Sequence, residues 1–248
     1  MGLLAHAAET LTNVDGRLAR SFARLVLRPG ELTAAYMRGQ RKLYVAPFQL
    51  FLITNVTFFV LQALVGAQVL SNGLDSHLWN QSYSDLARAL AQERITAAST
   101  TVEQYRPVFD HAVTVNAKAL VVVFVPMYAL LAFLLHPRRR YLAVTHVVFA
   151  LHFLSFLLVL FIVVLPLLAV PTAYLLGYLG QPEQLADPFV SWVMIGVCGL
   201  YGYKAFGTVY GDRRWLALVK AAIFGVVLIT LIRVYRLIVF LFTLYTTT

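Results

Sequence analysis

Charge is scarce in this sequence. Only 12% of its 248 residues are Asp, Glu, Lys or Arg, while 60% are hydrophobic. A soluble domain averages about 25% charged and about 45–50% apolar, so one soluble core is excluded and an integral membrane protein is expected. Cysteine is nearly absent. With Cys198 alone, a disulfide, a CxxC redox pair and a cysteine zinc site within one chain are ruled out, and Cys198 reads as a small packing side chain. P-loop, GxSxG, HExxH, paired-carboxylate and dinucleotide signatures are missing too. No catalytic residue, cofactor or metal is therefore assigned. An intramembrane enzyme using His152 with Tyr128 or Tyr201 stays open, although nothing selects a reaction. The first long apolar run begins near Pro47, too late for a secretory h-region, so no cleavable signal peptide is expected. No internal repeat points to an inverted-repeat transporter.

What is present is a set of apolar runs, each long enough to cross about 30 Å of hydrocarbon. They predict an all-α integral membrane protein with about five transmembrane helices, at about 47–69, 115–135, 142–165, 189–210 and 215–239. Six spans is the alternative. Pro166 and Pro171 are expected to end the third span, leaving "TAYLLGYLG" as an interfacial or kinked extension; "FLFTLYTTT" is expected to bend along the membrane. Residues 1–46 form a basic cytoplasmic or interfacial region, and 47–248 a helical membrane domain with an extracytoplasmic helical loop at 70–114.

Lysines and arginines outnumber acids 20 to 11, a net charge of +9. They cluster beside the spans, in residues 1–46, in "HPRRRY" and in "GDRRW", and this distribution argues against a nucleic-acid partner. The segments 70–114 and "GQPEQLADP" carry seven of the eleven acids. By the positive-inside rule the N-terminus is inside and the C-terminus outside, which implies a multi-pass protein of a bacterial inner membrane. The lipid bilayer is the expected partner, with homo-oligomerisation possible.

Ahead of the first span, Asp15 is a candidate N-cap for "GRLARSFARLVLR". Arg17, Arg20, Arg24 and Arg28 form one stripe at helical spacing, with Leu18, Phe22, Leu25 and Val26 on another face. Such a basic amphipathic helix suits the headgroup boundary. Pro29-Gly30 stops it, a second short helix leads from Glu31 to Gly39, and Pro47 suits the first turn of the first span. Together with Arg38, Arg41 and Lys42, the stripe forms a candidate surface for anionic lipids. Tyr36 and Tyr44 fit an interfacial setting.

The stretch Arg28-Pro29-Gly30, Tyr36, Gly39, Arg41, Tyr44 and Pro47, followed by an apolar span, resembles the opening of a bacterial membrane family catalogued as domain of unknown function 3667. The segments "THVVFALHFLSF" and "YGYKAFGTVYG" resemble later motifs of that family. Many members begin with a four-cysteine zinc ribbon, which this chain lacks. The resemblance implies a membrane protein and no established activity.

Polar residues inside spans are costly and are functional candidates by default. At 1.5 Å per residue, Asn55, Tyr128, His152 and Lys204 all fall roughly 12–17 Å from the cytoplasmic ends of their helices. His146 is shallower. His146 and His152 lie six residues apart and cannot face one point, so they do not form a metal pair. Tyr201, Arg233 and Arg236 complete the candidates for a substrate or ion path, the arginines facing the outer turn with Glu183 or Asp187 as partners, and Lys118 nearby. In the outer loop, Thr100 with Glu103 suggests a capping box. Asp75, His77, Glu103, Asp110 and His111 read as solvated loop residues. The expected function is a non-enzymatic channel or transporter for a proton, small ion or anionic lipid-like substrate. The alternative is a scaffold that binds anionic lipids or protein partners through the basic N-terminal region.

Overall fold

The computed structural model describes residues 16–65, 70–137, 141–180 and 186–247, whose regular elements are all helices, with no strand among them. Asp15, Arg138 to Arg140, Glu183 and the Asp187 side chain lie outside the described residues. Helix α1 covers 16–27, and α2 is Glu31–Met37. The long helices are α3 (Pro47–Val65), α6 (Val102–Leu120), α7 (Phe124–Leu135), α8 (Ala143–Val164), α10 (Ala186–Tyr210) and α11 (Arg214–Thr246). Shorter ones are α4 (Leu74–Trp79), α5 (Ser84–Ala97) and α9 (Val170–Tyr178).

Among the described residues, four stretches are long and apolar enough to cross a membrane: Pro47–Leu64, Val102–Leu135, Ala143–Tyr178 and Arg214–Thr246. The fifth expected span is the helix α10, which is not among these four. Two boundaries differ from expectation for identifiable reasons. Pro166 does not end the third span, because Leu165–Ala169 widens into a π-helical turn and Pro171 falls in the first turn of α9. The wider turn and the helix start both tolerate a missing backbone N–H, so the helix runs on to Tyr178. The helix that carries the second expected span starts earlier than 115, at Val102. A 3-10 turn at Val121–Val123 joins α6 to α7 without a break. The last helix continues straight through "FLFTLYT" to Thr246.

The chain forms two compact units, one of residues 1–58 and 125–226, the other of 59–124 and 227–248. In the second, the ring of Phe124 stacks on Tyr235 at 4.2 Å, and the Tyr235 hydroxyl donates to the Ala117 carbonyl at 2.9 Å. The cap of α6 is Thr101 with Gln104, each side chain bonding the other's backbone N–H, one residue past the expected pair. His77 is not solvated but 1% exposed. Its Nε2 donates to the Asn72 carbonyl at 3.1 Å and its Nδ1 accepts from the Tyr83 hydroxyl at 2.8 Å. Burial pushes its imidazole pKa down to about 4. Asp110 caps α4 through the Leu74 N–H at 2.7 Å, and Asp75 pairs with Arg106 at 3.1 Å. Among the described residues no three His, Cys, Asp or Glu gather as a metal site.

The first unit is organised around α2, which packs against α8 and α10. Leu32, Thr33, Ala34 and Ala35 are all buried, so this part of the basic region joins the helical core instead of lying at its edge. Small side chains let helix backbones approach closely, and Thr-Ala-Ala supplies them. Glycines shape both ends. Gly30 has φ +83° and caps the start of α2. At the other end Gly39, at φ +84°, donates to the Tyr36 carbonyl while Gln40 donates to that of Ala35. That is a Schellman termination, which favours glycine at its left-handed position.

Candidate functional site

Helix α2 brings the first polar contact. The Thr33 hydroxyl lies 2.9 Å from His152 Nδ1, in a buried bond between residues 119 apart in sequence. Replacing Thr33 with valine keeps the volume but leaves His152 Nδ1 buried without its partner. The cost is about 1–3 kcal/mol, read as a lower unfolding midpoint in detergent. Wild-type stability in this variant would show that the bond contributes nothing.

A second cluster gathers where α7, α8, α10 and α11 come together. His136 follows the last turn of α7, and Asp212 sits in the short turn between α10 and α11. His136 Nε2 and Lys220 Nζ each lie 2.8 Å from Asp212 Oδ2. The His136 and Asp212 side chains are fully buried, and Lys220 is 12% exposed. The Tyr210 ring stacks on His136 at 3.8 Å and 10°, and its hydroxyl is 3.0 Å from His146 Nδ1. Tyr141 donates to the Tyr210 carbonyl.

Burial alone would raise the Asp212 carboxyl pKa, but the bonds from Lys220 and His136 outweigh it and hold the group below the usual carboxylate value. Burial pushes the His136 imidazole pKa down, against the pull of Asp212. Both ring nitrogens meet acceptors: Nδ1 donates to the Ala132 carbonyl at 3.1 Å, and Nε2 faces the carboxylate.

Beside this cluster lies a cleft of about 470 Å³, whose lining includes Leu27, Arg28, Glu31, Lys204, Asp212 and Arg214. Its two acids are already compensated. Glu31 pairs with Arg24 at 3.0 Å and Arg38 at 3.9 Å, and Asp212 with Lys220 and His136. Arg28, Lys204 and Arg214 are exposed and have no carboxylate partner among the described residues. A smaller cleft of about 220 Å³ adjoins it, lined by Arg20, Arg24, Arg28 and Tyr44. The arginine stripe is thus divided: Arg17 turns inward and donates to the Tyr44 carbonyl at 2.8 Å, while Arg20 and Arg28 face the clefts.

Residues 15–59 match the family described as "Protein of unknown function (DUF3667)". The resemblance read from the arm is thereby shown over that segment. It covers most of α3, together with α1 and α2 and the turn between them, which supply Leu27, Arg28 and Glu31 to the cleft and Thr33 to His152. No curated protein and no solved structure matches the chain.

The polar residues expected at one depth have different surroundings. Tyr128 is fully buried among the rings of Phe153 and Phe224. His152 meets Thr33, Tyr201 stacks on Phe156 at 4.0 Å, and Lys204 opens onto the cleft. Asn55 is half-buried, and its buried Oδ1 has no partner among the described residues. His146 and His152 bond different partners, as their spacing requires. In the second unit Arg233 is exposed, and Arg236 lies near His77 and Tyr83. Arg38, Arg41 and Lys42 are exposed, with Arg41 over the Tyr36 ring at 4.8 Å.

Sequence inspection missed His136, Tyr210, Asp212 and Lys220 as a group. One signal was available: Asp212 is the only acid in the basic turn "GDRRW".

Proposed function

We propose that this protein is a non-enzymatic membrane carrier for an anionic, lipid-like substrate, whose headgroup is received in the cleft of Arg28, Lys204 and Arg214. The observation that carries this reading is three exposed cations in one cleft whose acids are both occupied by other bases. Leu27, which is 75% exposed, lies on the cleft wall and offers an apolar surface for an acyl chain. By the positive-inside rule the cleft faces the cytoplasmic side of a bacterial inner membrane. Lys204, first considered as a midplane residue, becomes a headgroup ligand in this reading. Asn55, Tyr128, His152 and Tyr201 remain the candidates for a path beyond the binding step.

A lysine or arginine near an anionic headgroup contributes roughly 1 kcal/mol. Replacing Arg28, Lys204 and Arg214 together by glutamine therefore weakens binding of short-chain phosphatidylglycerol by about a hundredfold. Arg213→Gln, outside the cleft lining, serves as the control. Inorganic phosphate, which lacks acyl chains, should bind far more weakly. Equal lipid affinity in the triple variant and the wild type would overturn the cleft assignment. Lipid binding without movement of labelled lipid across proteoliposomes would favour the scaffold function instead.

A further inference from the structure

We infer that the ligand carries two phosphates joined through glycerol, a cardiolipin-type headgroup. One phosphate sits with Arg28, Lys204 and Arg214, and the other occupies the adjoining cleft at Arg20. This second subsite rests on the larger cleft being the headgroup site. The two clefts share a wall, because Leu27 and Arg28 line both. No acid lines the smaller one, and Arg20 is exposed with no carboxylate partner among the described residues. Four such cations across the pair of clefts suit two phosphate charges better than one, and basic pockets between membrane helices receive headgroups of this kind.

The smaller cleft has a fixed wall. Arg17 Nη2 donates to the Tyr44 carbonyl at 2.8 Å. The buried Ser21 hydroxyl donates to the Arg17 carbonyl at 2.8 Å and accepts from the Val45 N–H at 2.9 Å. These bonds tie residues 44 and 45 to α1, so Tyr44 joins Arg20 and Arg24 in the lining. Arg17 is thus committed to the wall, and Arg24 to Glu31 at 3.0 Å. Glu31 lines the larger cleft and Arg24 the smaller. Their ion pair runs between the two and leaves Arg28 as the cation common to both. The Arg28 N–H donates to the Arg24 carbonyl at 3.0 Å and so continues the ladder of α1. Arg20 and Arg28 therefore stand about 12 Å apart along the helix. Two phosphates that share one oxygen are too close to serve both Arg20 and the cations of the larger cleft. A glycerol bridge spans part of that gap, and the long arginine side chains close the rest. The exposed Leu27 in the shared wall gives the acyl chains one apolar ridge.

The test titrates the full chain in detergent with short-chain cardiolipin, dioctanoyl phosphatidylglycerol and farnesyl diphosphate, each separately. Wild type should bind cardiolipin about fivefold more tightly than phosphatidylglycerol, the gain from one further arginine. Arg20→Gln should erase that gain and leave the other two affinities unchanged, whereas Arg28→Gln should weaken all three. Arg41→Gln, which removes the same charge outside both clefts, should alter none. The deacylated cardiolipin headgroup should bind far more weakly than the lipid, and equal affinity would overturn a lipid as the ligand. Equal wild-type affinity for the two phospholipids, or equal cardiolipin losses in Arg20→Gln and Arg41→Gln, overturns the second subsite and leaves the larger cleft standing. A farnesyl diphosphate loss in Arg20→Gln as large as that for cardiolipin overturns the glycerol bridge. If replacing Arg28, Lys204 and Arg214 together leaves phosphatidylglycerol affinity at the wild-type value, the headgroup site falls and the second subsite with it.

Discussion

Gly30→Ala destabilises the protein by about 2–5 kcal/mol, whereas Gly39→Ala costs only about 1–2 kcal/mol. Both glycines sit at φ near +83°, where any other residue incurs the left-handed penalty. Only Gly30 also faces a wall. A Cβ there would lie 2.9 Å from the Ala205 Cα, 3.0 Å from its carbonyl oxygen and 3.1 Å from Thr208 Cβ. Backbone of α10 cannot swing aside like the end of a flexible side chain, so α2 must move outward. The buried Thr33 bond to His152 would loosen with it. At Gly39 an added Cβ meets nothing within 4 Å, so the conformational penalty stands alone. Denaturant or thermal unfolding in detergent measures both variants. Equal losses at the two positions would mean that the approach of α2 to α10 is looser than the structure has it.

Asp212→Ala should cost about 3–5 kcal/mol, because it strands a buried ammonium and a buried imidazole that now share one carboxylate. Removing Lys220 as well, in Asp212→Ala/Lys220→Met, should recover a large part of that loss, since the unpaired charge leaves with its partner. A double variant no better than the single one would locate the loss in packing and not in charge.

The same cluster sets an acid response. The folded pKa of His136 lies below its ordinary value, so the unfolded chain binds more protons and stability falls as pH drops below the usual histidine range. Asp212, also held low, contributes fully only above the ordinary carboxylate range and loses that contribution as pH falls through that range to its lower folded value. Unfolding midpoints measured from neutral to acidic pH should therefore decline in the wild type, and His136→Gln should remove the part of the decline that falls in the histidine range.

Local chemistry was readable in the amino-acid order. Apolar run length marked the four helical stretches long and apolar enough to cross a membrane among the described residues, Pro47 opened α3 as expected, and Pro29-Gly30 and Gly39 bounded α2. The charge asymmetry supplied an expected orientation. All of these depend on residues within a few turns of one another, where helical periodicity and the limits on proline and glycine act directly.

The burial of α2 was not legible, because its short Leu-Thr-Ala-Ala face carries no strong apolar signature. The partners of the polar residues were hidden for a different reason. Thr33 meets His152 across 119 residues, and His136 meets Asp212 across 76. No spacing rule reaches that far. Depth counting placed Lys204 level with His152 but could not tell which face of α10 it occupied. Sequence by itself determined which segments are helical and apolar enough to cross a membrane and where glycine must break them. Only the tertiary structure decided which buried side chains share a carboxylate and which exposed cations have none beside them, because side-chain pairing follows from how the helices rotate and pack against one another.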